Sequence, residues 1–489
     1  MPELSYFRRL RYWLARYPRL ECLMLPVRPL LYGARNLRTH VNRWLAHLCN
    51  LPLLCKLIWY SRWLHRQGRH RIPHFAPVPE SPKIVMLACS WLTADPRIER
   101  EARTLAAAGF RVKLLCPAWS PVSAGPLHLP DWGPQVTFCV LPYEAVHYKD
   151  SCPWIFSPDL LRVALHEEDV WAYHAHDLDT ALPALVAAAT KRVLCVCDFH
   201  EWYSENVSYD ARQDLWTPHP WLKRWLSRMM DRLAVCSASR IITVCESIAR
   251  ELEQQYAASR PVFVIRNIPP LDRDAILPPT IDIRAKLQIP AGKAVLLYQG
   301  GVGPSRGLES LIQAMGMVQH AVLVIRGPGI DSFEDSYLRL AKRSGASDRV
   351  FCLAPVPSRH CVSEAKAADL GFWTLMPICK NFTYALPIKV FEYLAAGVPV
   401  VCAHHAEVVK VVHGFDVGRC FDPEDPRSIA KVIDQMASDV GLRRRCQANI
   451  PRALAELQAD REWTKLAALY EQLGDGKPPK SPKPWQVAA

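Results

Sequence analysis

A glycine-rich turn carries the clearest binding signal in this 489-residue sequence. Residues 298–307 read YQGGVGPSRG, and a helical stretch, LESLIQAM, follows at once. The bare backbone N–H groups of such a turn and the positive end of the next helix suit a phosphate. Arg306 adds a cation that can contact two phosphate oxygens together. Because the turn matches neither Walker A nor GxGxxG, an ordinary tight turn with a solvated Arg306 stays open.

A second candidate lies in residues 381–401, NFTYALPIKVFEYLAAGVPVV. Lys389 and Glu392 are three positions apart, so both fall on one face of the helix predicted after Pro387. A carboxylate near a helix start is well placed to accept hydrogen bonds from sugar hydroxyls. A weak surface ion pair is the alternative interpretation.

Two polar clusters follow strand-like runs in the first half of the chain. The sequence HAHD occupies 174–177, and DFHE occupies 198–201. Polar side chains at the carboxyl ends of parallel strands point into a cleft, although simple turn polarity stays open. The histidines invite a zinc interpretation, but no third ligand has a suitable spacing, so we expect no metal site. The candidates from these clusters are His176, Asp177, His200 and Glu201.

Short apolar strands and Ala/Leu-rich helical stretches alternate from Lys83 onward, as in KIVMLACS, EREARTLAAAG and FRVKLLCPA. A second run of this kind begins after the loop 267–292. Such alternation is typical of βαβ units and parallel sheets. We predict the α/β class, with two Rossmann-like, doubly wound parallel-sheet domains that face a cleft, plus a basic N-terminal extension.

The positive charge is concentrated at the N-terminus. Residues 1–72 hold thirteen arginines and one lysine against two glutamates, which accounts for nearly all of the net charge of +13. Arginine with interleaved tryptophan favours peripheral contact with an anionic membrane surface. No apolar run there reaches the roughly 20 residues that a spanning helix needs. A solvated appendage stays open as an alternative, and nucleic acid is not an expected partner because no recognised module is present.

Cysteine usage and the N-terminus indicate the compartment. None of the seventeen cysteines forms a paired CxxC or Cys/His zinc spacing, and many lie in apolar, strand-like runs. The start, MPELSYFRRLRYW, lacks the apolar core of a signal peptide. We therefore expect a cytoplasmic protein, peripheral on the inner face of the plasma membrane.

Taken together, these segments resemble retaining GT-B glycosyltransferases of family 4. YQGGVGPSRGLESLI, RGPG and YALPIKVFEYLAAGVPVV are similar to the C-terminal domain of that family. HAHDLDTALPAL, DFHEWYSE, ADPRIEREARTLAAAGF and RIITVCESIARELEQQY are similar to its N-terminal domain. The resemblance covers about residues 83–470. The expected organisation is an extension with a Pro-rich linker at 1–80, an acceptor domain at 81–266, a nucleotide-sugar donor domain at 267–473, and a disordered tail at 474–489.

The resemblance implies roles for individual residues. Arg306 stands where the family usually has a lysine that holds the donor diphosphate, and Glu392 matches the glutamate that binds the ribose. His176 matches a cleft histidine near the transferred sugar. The loop that approaches the phosphates contains Gly300, Gly301 and Gly303, and the nucleotide base is expected beside Arg326 to Gly329.

Two positions depart from the family pattern. Tyr384 stands where a glutamate is frequent, eight residues before Glu392, and leaves the donor sugar undefined. Gly301 stands where an arginine is frequent, and Lys389 can supply that missing charge. Both Tyr384 and Lys389 remain candidate substrate-binding residues.

The expected activity is transfer of a sugar from a UDP-linked donor to an acceptor, with retention at the anomeric carbon. His176, Arg306 and Lys389 are the expected catalytic residues, with no cofactor or metal besides the nucleotide-sugar co-substrate. Cell-envelope polysaccharide, lipopolysaccharide or glycolipid synthesis is the expected setting, with a lipid-linked or polysaccharide acceptor. Two alternatives stay open: a non-catalytic GT-B scaffold that assists a partner transferase, and a GT-B sugar-nucleotide epimerase.

Overall fold

A computed structural model gives the fold. It describes residues 51–89, 96–117, 129–141, 157–210, 215–219, 221–269, 278–279, 281–357 and 360–474. The first fifty residues of the expected extension and nearly all of the expected tail lie outside these ranges.

The strands of the described residues are β1 (Lys83–Leu87), β2 (Arg111–Pro117), β3 (Val136–Leu141), β4 (Val170–His176), β5 (Leu194–Phe199), β6 (Val207–Asp210), β7 (Leu215–Pro218), β8 (Arg240–Thr243), β9 (Phe263–Val264), β10 (Ala294–Gln299), β11 (Ala321–Arg326), β12 (Val350–Leu353), β13 (Leu370–Trp373), β14 (Val400–Ala403) and β15 (Gly418–Phe421).

The α-helices of the same ranges are α1 (Leu51–Trp63), α2 (Pro96–Ala107), α3 (Pro158–His166), α4 (Asp177–Lys191), α5 (Trp221–Ser237), α6 (Glu246–Tyr256), α7 (Ile283–Leu287), α8 (Leu308–Met315), α9 (Ile330–Arg343), α10 (Cys361–Ala365), α11 (Lys380–Thr383), α12 (Ile388–Ala395), α13 (Ala406–Gly414), α14 (Pro426–Ser438), α15 (Val440–Glu456) and α16 (Ala459–Leu473). A π-helical turn, Leu64–Gly68, and a 3₁₀ turn, Arg69–Arg71, continue α1.

Two parallel sheets organise the chain, and the predicted α/β class with two such domains is confirmed. The first has the order β3-β2-β1-β4-β5-β8-β9, and the second has the order β12-β11-β10-β13-β14-β15. In each sheet the order reverses beside the first strand, between β1 and β4 and between β10 and β13. Ligands of doubly wound sheets bind at such a reversal, beyond the carboxyl ends of the strands.

The central strands are buried along their whole length because helices cover both sheet faces. All seven residues of β4 and all six of β5, β10 and β11 are buried. This explains their continuous apolar runs in place of an alternating pattern. Polar side chains therefore concentrate where these strands end, which is where the candidate residues lie.

Both ends of the described chain pack on the first domain. Leu57, Leu64 and Ile72 are buried in the same core cluster as α4 and α5, so residues 51–72 form a folded helical segment against that domain. Helix α16 belongs to the segment 267–473 by sequence, yet it packs on α2 of the first domain. Among the described residues, no helix is long and apolar enough to cross a bilayer.

Candidate active site

The glycine-rich turn after β10 is held against the end of β11. The Gly300 N–H donates to the Arg326 carbonyl at 3.1 Å, and the Val302 N–H donates to the Pro328 carbonyl at 2.9 Å. The Tyr298 hydroxyl donates to the Gly301 carbonyl at 2.7 Å. These bonds fix the course of the turn, so its shape is preorganised before any ligand binds.

Two glycines on the facing loop permit this close approach. A Cβ atom on Gly327, where φ is +152°, would lie 1.7 Å from the Gly300 carbonyl oxygen. A Cβ atom on Gly329, where φ is +94°, would lie 2.7 Å from the Val302 carbonyl oxygen. Both distances are steric clashes, and the φ values are ones that side chains disfavour. The segment RGPG is thus required by backbone packing.

Two cations flank the turn, as the sequence suggested. A Cβ atom on Gly301 would lie 3.9 Å from Arg306 Nη2, and one on Gly300 would lie 3.7 Å from Lys389 Cε. Lys389 lies on α12, and its ammonium group donates to Glu392 Oε2 at 2.9 Å. Glycines, two positive side chains and one carboxylate therefore meet beyond β10. This combination can bind a diphosphate and a neighbouring hydroxyl group.

Arg326 has a different environment from the one that its motif suggested. Its side chain is almost fully buried. Arg326 Nε donates to Gln299 Oε1 at 2.7 Å, and Nη1 donates to Glu364 Oε2 at 3.2 Å. The guanidinium thus joins β10 to α10 inside the domain, while the Arg326 carbonyl holds the glycine turn.

A buried arginine organises the opposite side of the cleft, on the first domain. Arg97 Nε and Nη2 each donate to one oxygen of Asp198 at 2.9 Å, and Arg97 Nε also lies 2.9 Å from Glu101 Oε1. Burial alone would raise the pKa of Asp198, but the Arg97 guanidinium holds that pKa well below its usual range. Asp198 therefore carries a full negative charge at the end of β5.

His200 and His176 meet beside this ion pair, and they differ in protonation state. His200 Nε2 lies 3.2 Å from Asp198 Oδ2, and Nδ1 lies 3.4 Å from Asp177 Oδ2. Burial would lower the pKa of His200, but the two carboxylates raise it to about 10. His176 Nδ1 lies 3.3 Å from His200 Nε2, and burial with the adjacent imidazoles lowers the pKa of His176 well below its usual value. At neutral pH, His200 is an imidazolium and His176 is neutral.

Exposure separates the two histidines further. His176 is 1% exposed, whereas the His200 side chain is 13% exposed and the Asp177 side chain is more open still. His174 is fully buried, and its Nδ1 pairs with the Tyr470 hydroxyl at 2.8 Å. The groups of this cluster that face solvent are therefore His200 and Asp177, with His176 behind them.

Glu201 lies at the contact between the two domains. Its Oε2 accepts from Asn206 Nδ2 at 3.3 Å and from Asn381 Nδ2 at 3.4 Å. Asn381 belongs to the second domain, and its Oδ1 also accepts from the Trp202 N–H at 2.9 Å. Desolvation where the two domains meet and the charge of Asp177 raise the pKa of Glu201, while the charge of His200, the hydrogen bond from Asn381 and the charge of Arg306 across the cleft oppose that rise. Arg306 and Glu201 thus face the same space from the two domains.

Tyr384 also contacts the first domain. Its hydroxyl donates to Glu251 Oε1 at 2.8 Å, and its ring stacks on Trp202 with centroids 6.4 Å apart. Lys380 donates to the other oxygen of Glu251 at 2.9 Å. The position that departs from the family pattern is therefore used in this structure for an interdomain contact.

Four side chains near the histidines have a geometry that could hold a metal ion: Glu101, His176, Asp198 and His200. Their ligand atoms lie within 4.8 Å of one another. The Arg97 guanidinium already contacts both carboxylates, however, and supplies the positive charge that an ion would bring. Sequence spacing could not reveal this group because its members come from α2, from β4, and from β5 with the residue that follows it.

Comparisons with known proteins agree with this arrangement. The model described as Glycosyltransferase Family 4 matches residues 97–273, and the model described as Glycosyl transferases group 1 matches residues 280–453. A D-inositol 3-phosphate glycosyltransferase of Xylanimonas cellulosilytica is 25% identical over 353 residues, which cover 69% of this chain and 81% of the relative.

Solved structures show the same fold. Sucrose-phosphate synthase from Thermosynechococcus elongatus matches with a TM-score of 0.62 at 16% identity, over 81% of this chain and 100% of that chain. HepE of Anabaena, in complex with UDP-glucose, matches with a TM-score of 0.55 at 16% identity, over 80% of this chain and 99% of that one. This chain is a GT-B glycosyltransferase.

The structure adds residues to this glycosyltransferase that the sequence analysis did not single out. Arg97 organises the histidine cluster, Asn381 joins the domains, and Tyr470 reaches His174 from the C-terminal helix. The sequence contained one indication of the role of Arg97. Arg97 and Glu101 lie four residues apart, on the same helical face as the buried Leu105. A charged pair on an apolar face indicates a buried ion pair.

Proposed function

We propose that this glycosyltransferase moves a sugar from a UDP-linked donor to an acceptor with retention at the anomeric carbon. The observation that carries the proposal is the turn 300–303 with Arg306 and Lys389 beside it, opposite His200 and Glu201. The order of segments typical of retaining family 4 enzymes supports retention. A neighbouring fold that was solved with UDP-glucose supports the donor class.

The geometry supports a mechanism that depends on charge stabilisation. Breaking the bond between the anomeric carbon and the diphosphate builds negative charge on the leaving group. Arg306, Lys389 and the N–H groups of the turn are positioned to stabilise that charge, and such preorganised electrostatics is a large term in catalysis. We propose that these groups act without a metal ion, and that Glu392 binds the nucleotide ribose.

The His200 imidazolium adds a further positive charge on the acceptor side, where it can oppose the charge of the diphosphate. His176, buried behind it, accepts a hydrogen bond from His200 and acts as a positioning residue. No enzymic nucleophile is needed in this scheme, because the acceptor hydroxyl attacks from the face that the leaving group vacates and its proton passes to the departing diphosphate oxygen.

We also propose a lipid-linked or polysaccharide acceptor in cell-envelope polysaccharide, lipopolysaccharide or glycolipid synthesis, with the enzyme peripheral on the inner face of the plasma membrane. The basic segment 1–72 supports this setting. The Xylanimonas relative is a D-inositol 3-phosphate glycosyltransferase, and that substrate is a property of that protein.

Donor binding tests the proposal directly. Thermal-shift and calorimetric titrations with UDP, GDP, ADP and their sugar conjugates should show one nucleotide that stabilises the protein, by about 2.7 kcal/mol at a hundred times its Kd. Arg306→Ala and Glu392→Ala should each abolish most of that binding and most turnover while the protein stays folded. The matched control is Arg343→Ala, an exposed arginine at the end of α9.

Each outcome of these binding and activity measurements has a distinct meaning for the proposal. Nucleotide binding that disappears in Arg306→Ala but persists in Arg343→Ala supports the site. Wild-type kcat/KM in either site variant would show that the corresponding assignment is wrong. A shift with GDP or ADP in place of UDP would correct the donor and keep the site.

A further inference from the structure

Helix α5 exposes a stripe of tryptophan and arginine. Trp221 is 79% exposed and Trp225 is 49% exposed. Arg228 and Arg232 continue the same face at seven and eleven positions after Trp221, and both are accessible. The opposite face is buried, with Leu226 and Met230 among its residues. The solvent-facing side of this amphipathic helix therefore carries large aromatic groups as well as charged ones.

Helix α1 and the turn after it repeat this pattern. Trp59 is 60% exposed, and Arg62 and Arg66 follow on the same side at the spacing of successive helical turns. Leu57 and Leu64 lie on the opposite, buried side. Two helical segments far apart in sequence thus present the same combination of side chains to solvent.

The tertiary structure joins the two stripes. Leu57 and Leu64 belong to one buried cluster with Leu226 and Met230, and the turns at 64–71 contact α5. The resulting surface is called the Trp/Arg face here, and it consists of Lys56, Trp59, Arg62, Arg66, Trp221, Trp225, Arg228 and Arg232. Among the described residues, every exposed tryptophan lies on this face.

The charge on the Trp/Arg face is almost entirely positive. Residues 51–72 contain no aspartate or glutamate. The acidic residue of α5, Asp231, is buried, and burial raises its pKa to about 7 despite hydrogen bonds from Ser204, Trp202 and Tyr256. Glu205 pairs with Arg224 and Arg228 at the margin. The partner of this face must therefore be anionic and must also accept indole rings.

We propose that the Trp/Arg face binds the surface of an anionic phospholipid bilayer. Tryptophan is favoured at the membrane–water interface, and each arginine or lysine near an anionic surface strengthens the attraction to it. The chain enters α1 from residues 1–50, which carry nine further arginines, so the sequence that precedes this face is basic as well. Tryptophan and arginine on the outer side of two adjacent helices are typical of helices that lie in the plane of a membrane.

This inference extends the proposed function, since a lipid-linked acceptor requires the acceptor domain to meet the membrane. The face belongs to the first domain, whereas the turn 300–303 with Arg306 and Lys389 belongs to the second. Lipid binding and donor binding can therefore be measured separately on the same protein.

Vesicle co-sedimentation of the full chain tests the proposal. The wild type should pellet with vesicles of phosphatidylcholine and phosphatidylglycerol and bind vesicles of phosphatidylcholine alone at least about tenfold more weakly. The triple variant Trp59→Ser/Trp221→Ser/Trp225→Ser should lose about tenfold or more in partition to the mixed vesicles. The variant Arg62→Glu/Arg66→Glu/Arg232→Glu should lose the preference for phosphatidylglycerol.

Matched controls lie on exposed positions of the second domain. Met317→Ser/Leu338→Ser/Val440→Ser removes exposed apolar side chains, and Arg339→Glu/Arg343→Glu/Arg444→Glu reverses the same number of charges. Both controls should bind vesicles as the wild type does. The midpoint temperature of unfolding without ligand serves as the folding check for all four variants, and it should match that of the wild type.

Three results would overturn the inference. The first is wild-type vesicle binding by both face variants, which would assign the lipid contact to another segment. The second is equal binding of the wild type to neutral and anionic vesicles. The third is tight binding to a polynucleotide at physiological salt without vesicle binding, which would assign the face to nucleic acid. If no nucleotide shifts the folded protein while vesicle binding follows the expected pattern, the proposed donor fails and this inference stands.

Discussion

At the scale of single residues, Arg97 determines how the histidine cluster is charged. By contacting both Asp198 and Glu101, it allows two carboxylates and two histidines to occupy a nearly dry space. The carboxylates of Asp177 and Asp198 then hold His200 as an imidazolium, while His176 stays neutral. A buried ion pair of this kind contributes little net stability, but removing one partner leaves an uncompensated charge and is costly.

The charge of His200 leads to a prediction about stability and pH. Its pKa is about 10 in the folded protein against 6.5 in the unfolded chain. The stability that it contributes is therefore fully present below pH 6.5 and is lost as pH rises toward 10. We expect His200→Asn to lower the free energy of unfolding by about 2 kcal/mol at pH 6, and by progressively less toward pH 10. Denaturant titrations at pH 6, 8 and 9.5 measure this difference.

His320→Asn serves as the control for that experiment. This histidine is exposed on the second domain, 3.3 Å from Asp434, and its replacement should change stability little at any of the three pH values. A His200→Asn deficit that stays constant from pH 6 to 9.5 would show that the imidazolium is not stabilised as described.

At the scale of elements, backbone packing between two loops shapes the proposed donor site. The turn after β10 and the loop after β11 contact each other through main-chain hydrogen bonds. Arg306 follows the glycine turn directly, on the 3₁₀ turn 304–306, whereas Lys389 comes from α12 and reaches the glycine turn because β10 and β13 are neighbours in the sheet. The reversal of strand order thus places the Lys389 charge beside the N–H groups.

We predict that Gly327→Ala removes donor binding by distorting the turn. The added Cβ atom would lie 1.7 Å from the Gly300 oxygen, and this contact can be relieved only by moving the turn away from β11. Nucleotide affinity should fall at least about tenfold, with a loss of stability of about 1–3 kcal/mol. Calorimetric titration with the nucleotide measures the first effect, and denaturant unfolding measures the second.

Gly292→Ala is the matched control, because an added Cβ atom there meets nothing within 4 Å. That variant should bind nucleotide as the wild type does. Normal nucleotide affinity in Gly327→Ala would mean that the turn does not need its contact with β11.

At the scale of the whole molecule, a short segment of the second domain joins it to the first. Asn381 bonds the Trp202 N–H and Glu201, and Tyr384 and Lys380 bond Glu251. Helix α16 makes a second connection, where the Trp463 ring packs against the Arg97 and Arg100 guanidinium groups. The segment 380–384 precedes α12, which carries Lys389 and Glu392, so the proposed donor-binding residues and the domain contact share one stretch of chain.

We predict that Tyr384→Phe slows turnover without weakening nucleotide binding. The change removes the hydroxyl that donates to Glu251 and keeps the ring that stacks on Trp202. We expect turnover to require the arrangement in which Tyr384 contacts Glu251. Loss of about 1 kcal/mol from this domain contact then corresponds to a decrease of about fivefold in kcat. Steady-state kinetics gives kcat, and calorimetry gives the nucleotide Kd.

Tyr337→Phe provides the control, since the buried Tyr337 hydroxyl has no hydrogen-bond partner among the described residues. Its removal should leave kcat unchanged. A weakened nucleotide Kd in Tyr384→Phe would instead place the Tyr384 hydroxyl in the donor site.

The sequence by itself determined the two α/β domains, because continuous apolar runs alternating with helical stretches leave few other ways to bury the strands. It also located the turn 300–303, Arg306, Lys389 and Glu392, since these lie within local segments whose shape follows from nearby residues. The partners of Asp198, Tyr384 and α5 required the tertiary structure. Arg97 reaches Asp198, Glu251 reaches Tyr384, and the turns at 64–71 contact α5, across more than a hundred residues each, and no local spacing encodes such contacts. The carboxylates of Asp177 and Asp198 raise the pKa of His200 against the effect of burial, and only the packed structure brings these groups together.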